Sequence, residues 1–198
     1  MIPSGEPQRA SGAFVLVVGP SGAGKDTLID IARRTLAGDP RFVFARRTVT
    51  RAASAEDHET MTPEAFDAAE RAGAFALSWR SHGLAYGIPA AVVAAAAAGA
   101  VVIINASRAV IPEAVRIAPR VVVAHVTAPL PVLAARLAAR GRETAADIER
   151  RLSREVPLAA TGAEIVRIEN AGAPDIGGAE MVVLLQRLAS ASQAAPPR

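Results

Sequence analysis

The chain contains no cysteine, which excludes disulfides, thiolate nucleophiles and cysteine-ligated zinc. Aromatic residues make up only 4%, with one tryptophan and one tyrosine, too few for a base-stacking platform. Lysine is nearly absent: Lys25 stands alone among 22 lysine and arginine residues. No apolar run reaches membrane-spanning length, because the alanine-rich stretch 90–104 is broken at Gly99. The opening residues MIPSGEPQRASGA lack the charged start and apolar centre of a secretory leader, so a cytoplasmic location without a membrane partner is expected. His58, His82 and His125 are scattered, nothing has the spacing of a zinc site, and no nucleophile has a plausible base. His125 falls within an expected buried strand and reads as structural.

What is present is a 198-residue chain, 51% hydrophobic and 21% charged, long enough for one domain with a proper core. The net charge is +3. The sequence pI of about 10.4 comes from arginines that never titrate, so it overstates how basic the surface is. A modest positive excess suits anionic small molecules; a nucleic-acid partner would call for a clustered basic patch interleaved with aromatics.

The stretch that organises the rest is residues 14–28, FVLVVGPSGAGKDTL. Its first five residues are continuously apolar and rich in β-branched types, the mark of a strand buried on both faces. Gly19-Pro20-Ser21-Gly22-Ala23-Gly24-Lys25 follows, and then a helical pattern through Leu28, Ile29, Ile31 and Ala32. Strand, glycine-rich turn, lysine and helix in that order form a P-loop. The glycines let backbone N–H groups converge on a phosphate, the helix N-terminus adds its positive end, and Lys25 supplies a mobile cation. A compact ammonium on a flexible stem is wanted at that point, and a planar guanidinium would fit poorly. After the lysine the pattern normally has Ser or Thr, whose hydroxyl binds Mg²⁺; here the residue is Asp26, with Thr27 next. A carboxylate is also a hard oxygen ligand, so Asp26 and Thr27 are the candidate metal residues.

Further along, residues 42–44 read as a strand delivering Arg46, Arg47, Thr48, Val49, Thr50 and Arg51. Guanidiniums and hydroxyls at a strand end make an anion clamp, which points to Arg47, Thr50 and Arg51 as acceptor contacts. Residues 52–60 read as a loop. Thr62-Pro63-Glu64 opens a helix that Gly73 ends, and residues 74–79 and 83–86 look like short strands. Trp79 suits core packing, whereas Tyr86 suits a phosphate or sugar contact. A helix over 89–98 leads to a buried strand, 100–104, ending in Asn105-Ala106-Ser107-Arg108. Ligand groups gather at the C-terminal ends of parallel strands, so Asn105, Ser107 and Arg108 are candidates for substrate contact. Residues 121–126 form a third buried strand. Helices over 130–140 and about 145–158 flank an arginine-bearing glycine turn and carry Arg136, Arg140 and Arg151, the pattern of a lid closing on phosphates. A last strand, 165–168, runs toward Asn170, and a closing helix spans 178–188. Residues 1–12 read as a disordered lead and 190–198 as a mobile tail. Strands alternating with helices imply an α/β protein with a doubly wound parallel sheet.

A phosphate cradle with dispersed arginines is the equipment of phosphoryl transfer, in which positioning and charge neutralisation dominate. If the acceptor is itself a phosphate, its oxygen is already an anion at neutral pH and no protein base is needed.

From about residue 14 to 170 the chain resembles the guanylate kinase family of P-loop nucleoside monophosphate kinases. The P-loop, Thr50-Arg51, Phe75, His82-Gly83, Tyr86-Gly87, Arg136-Leu137, Arg140-Gly141 and Arg151-Leu152 carry the likeness. The resemblance implies a kinase domain over 13–189, an acceptor region near 46–88 and a lid near 136–154. It implies that Arg51 and Tyr86 hold the acceptor phosphate, that Arg136, Arg140 and Arg151 act with Lys25 at the transferring phosphoryl, and that Asn170 meets the adenine. The chain departs from that family where a second acceptor arginine would be Ser54, the guanine-reading glutamate Leu77, and an acidic residue Asn105. A guanine site without its polar readers loses discrimination steeply. These departures, with Gly24-Lys25-Asp26 and Asn105-x-Ser107-Arg108, resemble the ribose 1,5-bisphosphate phosphokinases, guanylate-kinase-like enzymes of phosphonate metabolism. That resemblance implies ATP and Mg²⁺ as cofactors, a sugar phosphate as substrate, 5-phosphoribosyl 1-diphosphate as product, and a monomer or homodimer. A guanylate kinase and a non-catalytic guanylate-kinase-like interaction domain are the alternatives.

Overall fold

A run that is apolar at every position is stable only as a strand covered on both faces, and three such runs form the centre of the protein. They are β1 (Ala13–Val18), β7 (Val101–Asn105) and β8 (Val121–Thr127). The structure, a computed structural model, describes residues 12–51, 58–139 and 162–194. β2 (Phe42–Phe44) and β9 (Glu164–Glu169) complete a five-stranded sheet in the order β2-β7-β1-β8-β9, parallel at every pairing.

Alternate residues of β1 feed two separate cores. Val15 and Val17 pack on one face against Leu28 and Ile29 of α1 (Lys25–Thr35) and Met181 and Leu185 of α6 (Pro174–Ala194). Phe14, Leu16 and Val18 pack on the other face with Val92 of α3 (Ala91–Ala97) and Ile111 of α4 (Ile111–Ile117). α5 (Leu130–Ala139) follows β8 and adds Leu133 to the first core. Helices on both faces of a parallel sheet are the doubly wound arrangement that the alternating pattern implies.

The acceptor strands do not join that sheet. β3 (Arg47–Val49), β4 (His58–Thr60), β5 (Phe75–Ser81) and β6 (Leu84–Pro89) form a second sheet in the order β4-β3-β6-β5. β3 and β4 run parallel, whereas β3–β6 and β5–β6 are antiparallel. The β5–β6 turn places His82 at φ 53° and Gly83 at φ 73°, the two positive angles that a tight hairpin needs to follow strand twist. α2 (Pro63–Arg71) is capped by Thr62, whose Oγ1 accepts from the Ala65 amide, and its Phe66 stacks on Phe75 at 4.7 Å. Gly87 lies under the Phe75 ring, where a Cβ would approach to 2.6 Å, so the residue after Tyr86 has no room for a side chain.

Several expectations change. Residues 58–60 are strand β4 rather than loop, because β3 supplies a parallel partner that no local pattern announces. The closing helix extends over Pro174–Ala194, past the expected 178–188 and into the stretch read as a tail. α4 and the 3-10 turn Arg108–Val110 ahead of it were not anticipated. The lead over 1–11 and the second lid helix near 145–158 lie outside the described residues. Among the described residues no helix is long and apolar enough to cross a membrane.

Leu77, where the family likeness places a guanine-reading glutamate, is 1% exposed and sits in the second core opposite Ile88. A carboxylate there would be buried without a partner, so Leu77→Glu is expected to cost more than about 3 kcal/mol in urea denaturation without conferring guanosine monophosphate use. Leu77→Met should cost under about 1.5 kcal/mol.

Candidate active site

β1 ends at Val18, the loop 19–24 turns, and α1 begins at Lys25. Gly24 takes the left-handed conformation (φ 87°, ψ 20°) at the helix N-cap. A Cβ on it would lie 2.4 Å from Asn170 Nδ2, so both backbone angle and space demand glycine. Asn170 follows β9, is 3% exposed, and fastens the loop from beneath. Its Nδ2 donates to the Ala23 carbonyl at 2.8 Å, while its amide N–H donates to Thr127 O at 2.7 Å. Its Oδ1 is buried with no partner among the described residues. Asn170, the residue for which the resemblance implies an adenine contact, thus uses one amide N–H to hold the loop's shape.

The Lys25 ammonium folds back over the loop, donating to Gly19 O at 2.9 Å and Pro20 O at 3.0 Å. Arg136, from the last turn of α5, reaches the same loop through Nη1 to Gly22 O at 3.5 Å. Of the expected lid cations, Arg136 is therefore at the loop, and Arg140 and Arg151 lie outside the described residues. Backbone N–H groups, a left-handed glycine and two cations around one short loop fit a polyphosphate.

On the other side of Lys25, the Asp26 carboxylate joins three elements. Oδ1 accepts from Asn105 Nδ2 at the end of β7 at 2.6 Å, and from Arg47 Nη2 on β3 at 3.4 Å. The Asp26 side chain stays 56% exposed, whereas that of Arg47 is 16% exposed. Thr27 is exposed beside it on the first turn of α1. A solvent-facing carboxylate adjoining the phosphate cradle is a donor suited to a hard divalent cation.

The acceptor side is built on the second sheet. Thr50 Oγ1 accepts from the Ala85 amide at 2.8 Å, which fixes the exit of β3 against β6. Arg51 Nε donates to His58 Nε2 at 3.4 Å. Arg46 lies against β4, through Nη2 to His58 O at 3.5 Å and at 3.8 Å from the Glu59 carboxylate. Tyr86 is half-buried and stacks on Trp79 at 5.2 Å with the rings 4° from parallel. Ser107 caps the 3-10 turn, its Oγ accepting from the Ala109 amide at 3.2 Å. Arg108, first in that turn, reaches His125 Nε2 at 3.0 Å.

Asp26, Arg47 and Asn105 thus form one connected group, with Lys25, Arg136 and Asn170 at the loop itself. Sequence reasoning set His58 aside as scattered and read His125 as structural; the structure brings both against arginines, Arg51 and Arg108. A signal existed for His125: it continues the alternation of Val121 and Val123 to the C-terminal end of a parallel strand, the same kind of position that marked Asn105.

A parallel sheet with a P-loop at its centre, a second sheet carrying arginines, and α5 bringing a cation over the loop define a phosphotransferase of the nucleoside monophosphate kinase type. In agreement, the fold matches guanylate kinase from Anaplasma phagocytophilum with a TM-score of 0.62 over 89% of this chain and 86% of that one, at 16% identity. No family model matches the chain. The chain is 49% identical over 176 residues to ribose 1,5-bisphosphate phosphokinase of Methylobacterium radiotolerans, covering 88% of this chain and 98% of that protein. It is 45% identical over 182 residues to the protein of the same name from Agrobacterium fabrum, covering 91% and 100%. It is also 46% identical over 191 residues to a bifunctional ribose 1,5-bisphosphokinase-thymidine phosphorylase of Cupriavidus pinatubonensis, covering 96% of this chain but 32% of that longer protein. The chain belongs to the ribose 1,5-bisphosphate phosphokinase family, kinases that act on a small molecule with a nucleotide and a divalent metal.

Removing the Asn170 amide should leave the Ala23 carbonyl unpaired and loosen the loop. Asn170→Ala is expected to weaken ADP binding about tenfold in calorimetry and to lower stability by about 1–2 kcal/mol.

Proposed function

We propose that the protein transfers the γ-phosphoryl group of ATP to the 1-phosphate of ribose 1,5-bisphosphate, giving 5-phosphoribosyl 1-diphosphate and ADP. The observation that carries this reading is the acceptor side. Arg47 from β3 reaches Asp26 just after the P-loop and Arg108 from the turn after β7 reaches His125 on β8, while the position that would read a guanine edge is Leu77, closed into the core. A base-less acceptor with two phosphates needs cations and hydroxyls and has no edge to be read. The names of the relatives, which match nearly the full length of two of them, support the same substrate.

The chemistry asks little of the protein beyond placement and charge. The acceptor's phosphate oxygen is an anion at neutral pH; it attacks the γ-phosphorus in line while the bond to the β-phosphate bridging oxygen breaks. Lys25 leaves the Gly19 and Pro20 carbonyls for the phosphate oxygens, an exchange of neutral acceptors for charged ones that favours the bound state. The loop N–H groups of residues 19–25 hold the donor phosphates. Arg136 neutralises charge at the transferring group, joined by Arg140 and Arg151. Arg47, Thr50, Arg51, Tyr86 and Arg108 hold the acceptor. Asp26 and Asn105, with Thr27 beside them, would hold Mg²⁺, which would supply further charge neutralisation.

Arg47 lies 3.4 Å from the Asp26 carboxylate, so a candidate acceptor cation and a candidate metal ligand share one contact.

Two measurements test the reading. With Mg-ATP, the protein should release ADP with ribose 1,5-bisphosphate and yield a diphosphate by phosphorus NMR, whereas guanosine monophosphate should give none; turnover with the nucleotide alone would reverse the substrate assignment. Lys25→Ala should lose about three decades of turnover with an unchanged melting curve, and near-wild-type activity in that variant would remove the P-loop from the mechanism.

A further inference from the structure

We infer that His125 is a positioning residue, whose neutral imidazole holds the Arg108 guanidinium toward the acceptor's phosphate. The inference rests on the substrate reading above and assigns a task to a side chain which that reading does not use.

The placement comes from the sheet. His125 pairs in register with Val18, the last residue of β1 before the P-loop. Its neighbours on the same face, Val121 and Val123, lie in the core beneath the acceptor strands, so His125 is the first polar group above that core. Arg108 arrives from β7, which flanks β1 on the opposite side from β8. To meet at 3.0 Å the two side chains span the full width of β1 at the point where the P-loop leaves it. The Arg108 guanidinium thereby crosses the C-terminal end of β1, where the P-loop begins. Ser107, by capping the turn that begins at Arg108, fixes where the arginine starts.

The chemistry follows from the donor inventory. A guanidinium has only donors and does not lose its proton, so His125 Nε2 must be the accepting nitrogen and the ring proton must sit on Nδ1. As a partner, a neutral imidazole has a property that a carboxylate lacks. It orients the guanidinium by one hydrogen bond without cancelling the charge that a phosphate is meant to meet. The contrast is Arg47, whose neighbour is the Asp26 carboxylate. Through His125, Arg108 is aimed in advance, and pre-orientation of this kind lowers the cost of binding.

The test uses the whole chain with Mg-ATP and ribose 1,5-bisphosphate, comparing His125→Ala, His125→Leu and His125→Gln. The Ala and Leu variants should raise KM for the sugar bisphosphate about tenfold while kcat and KM for ATP stay within about threefold. His125→Gln, whose carbonyl oxygen can accept the same bond, should restore KM to within about threefold of wild type. In an Arg108→Ala background the His125→Leu effect should vanish, since the two residues act as one unit. Independently of any acceptor, ¹⁵N NMR of the ligand-free protein should show His125 with a protonated Nδ1 and an unprotonated Nε2. Equal KM effects on both substrates, a His125→Leu effect that persists without Arg108, no recovery with glutamine, or the opposite tautomer would each overturn the inference. Failure of the unsubstituted protein to turn over ribose 1,5-bisphosphate would overturn the substrate reading instead.

Discussion

The contact between Asn170 and the underside of the P-loop is the constraint on which the rest of the site depends. Gly24 has to be left-handed for the loop to close over α1, and the space its Cβ would occupy is filled by the Asn170 amide. That amide ties the loop to the end of β9, while the Asn170 backbone ties it to the end of β8. Three parallel strands thus set the curvature of a six-residue turn, and the N–H groups that meet phosphate are aimed by the sheet. Such preorganisation is what electrostatic catalysis requires, because donors already in place cost nothing to reorient when charge develops.

Around this fixed loop, charge is arranged in two ways. On the donor side the loop's cations rest on backbone carbonyls, as Lys25 does on Gly19 and Pro20 and Arg136 on Gly22. Neutral acceptors of that kind are readily surrendered to a phosphate. On the acceptor side the partners are mixed: a carboxylate for Arg47, imidazoles for Arg51 and Arg108. Asp26 is central because it faces both halves. Its carboxylate stands where a hydroxyl is usual, and the end of β7 carries an amide where the guanylate kinase likeness leads one to expect an acid. The negative charge of the site has in effect moved from the sheet to the first turn of α1.

Sequence patterns made much of this legible, and the failures have physical causes. The three buried strands, the P-loop, α5 and the cap of α2 by Thr62 were readable because each is a local matter of period, glycine spacing or capping chemistry. β4 was missed because three residues carry no period and owe their strand geometry to β3. The turn at Arg108 and helix α4 were missed because the cap that starts them, the Ser107 hydroxyl accepting from the Ala109 amide, sits before a short stretch with too few residues to show a helical period. The burial of Leu77 opposite Ile88 could not be read from its neighbours in sequence.

What the sequence by itself determined is the chemistry: a phosphate cradle with a single lysine, an acid after it, arginines at strand ends, and a kinase family that those motifs identify. Each of these depends on residue types at short fixed spacings, and short spacings survive without knowledge of the fold. What only the tertiary structure decided is which polar groups share a partner. Asp26 meets Asn105 across 79 positions, Asn170 meets Ala23 across 147, and Arg108 crosses β1 to reach His125. Those meetings follow from strand order β2-β7-β1-β8-β9, which places sequence-distant strand ends side by side. Strand order is set by how apolar faces pack, a property of the whole chain that no single motif contains.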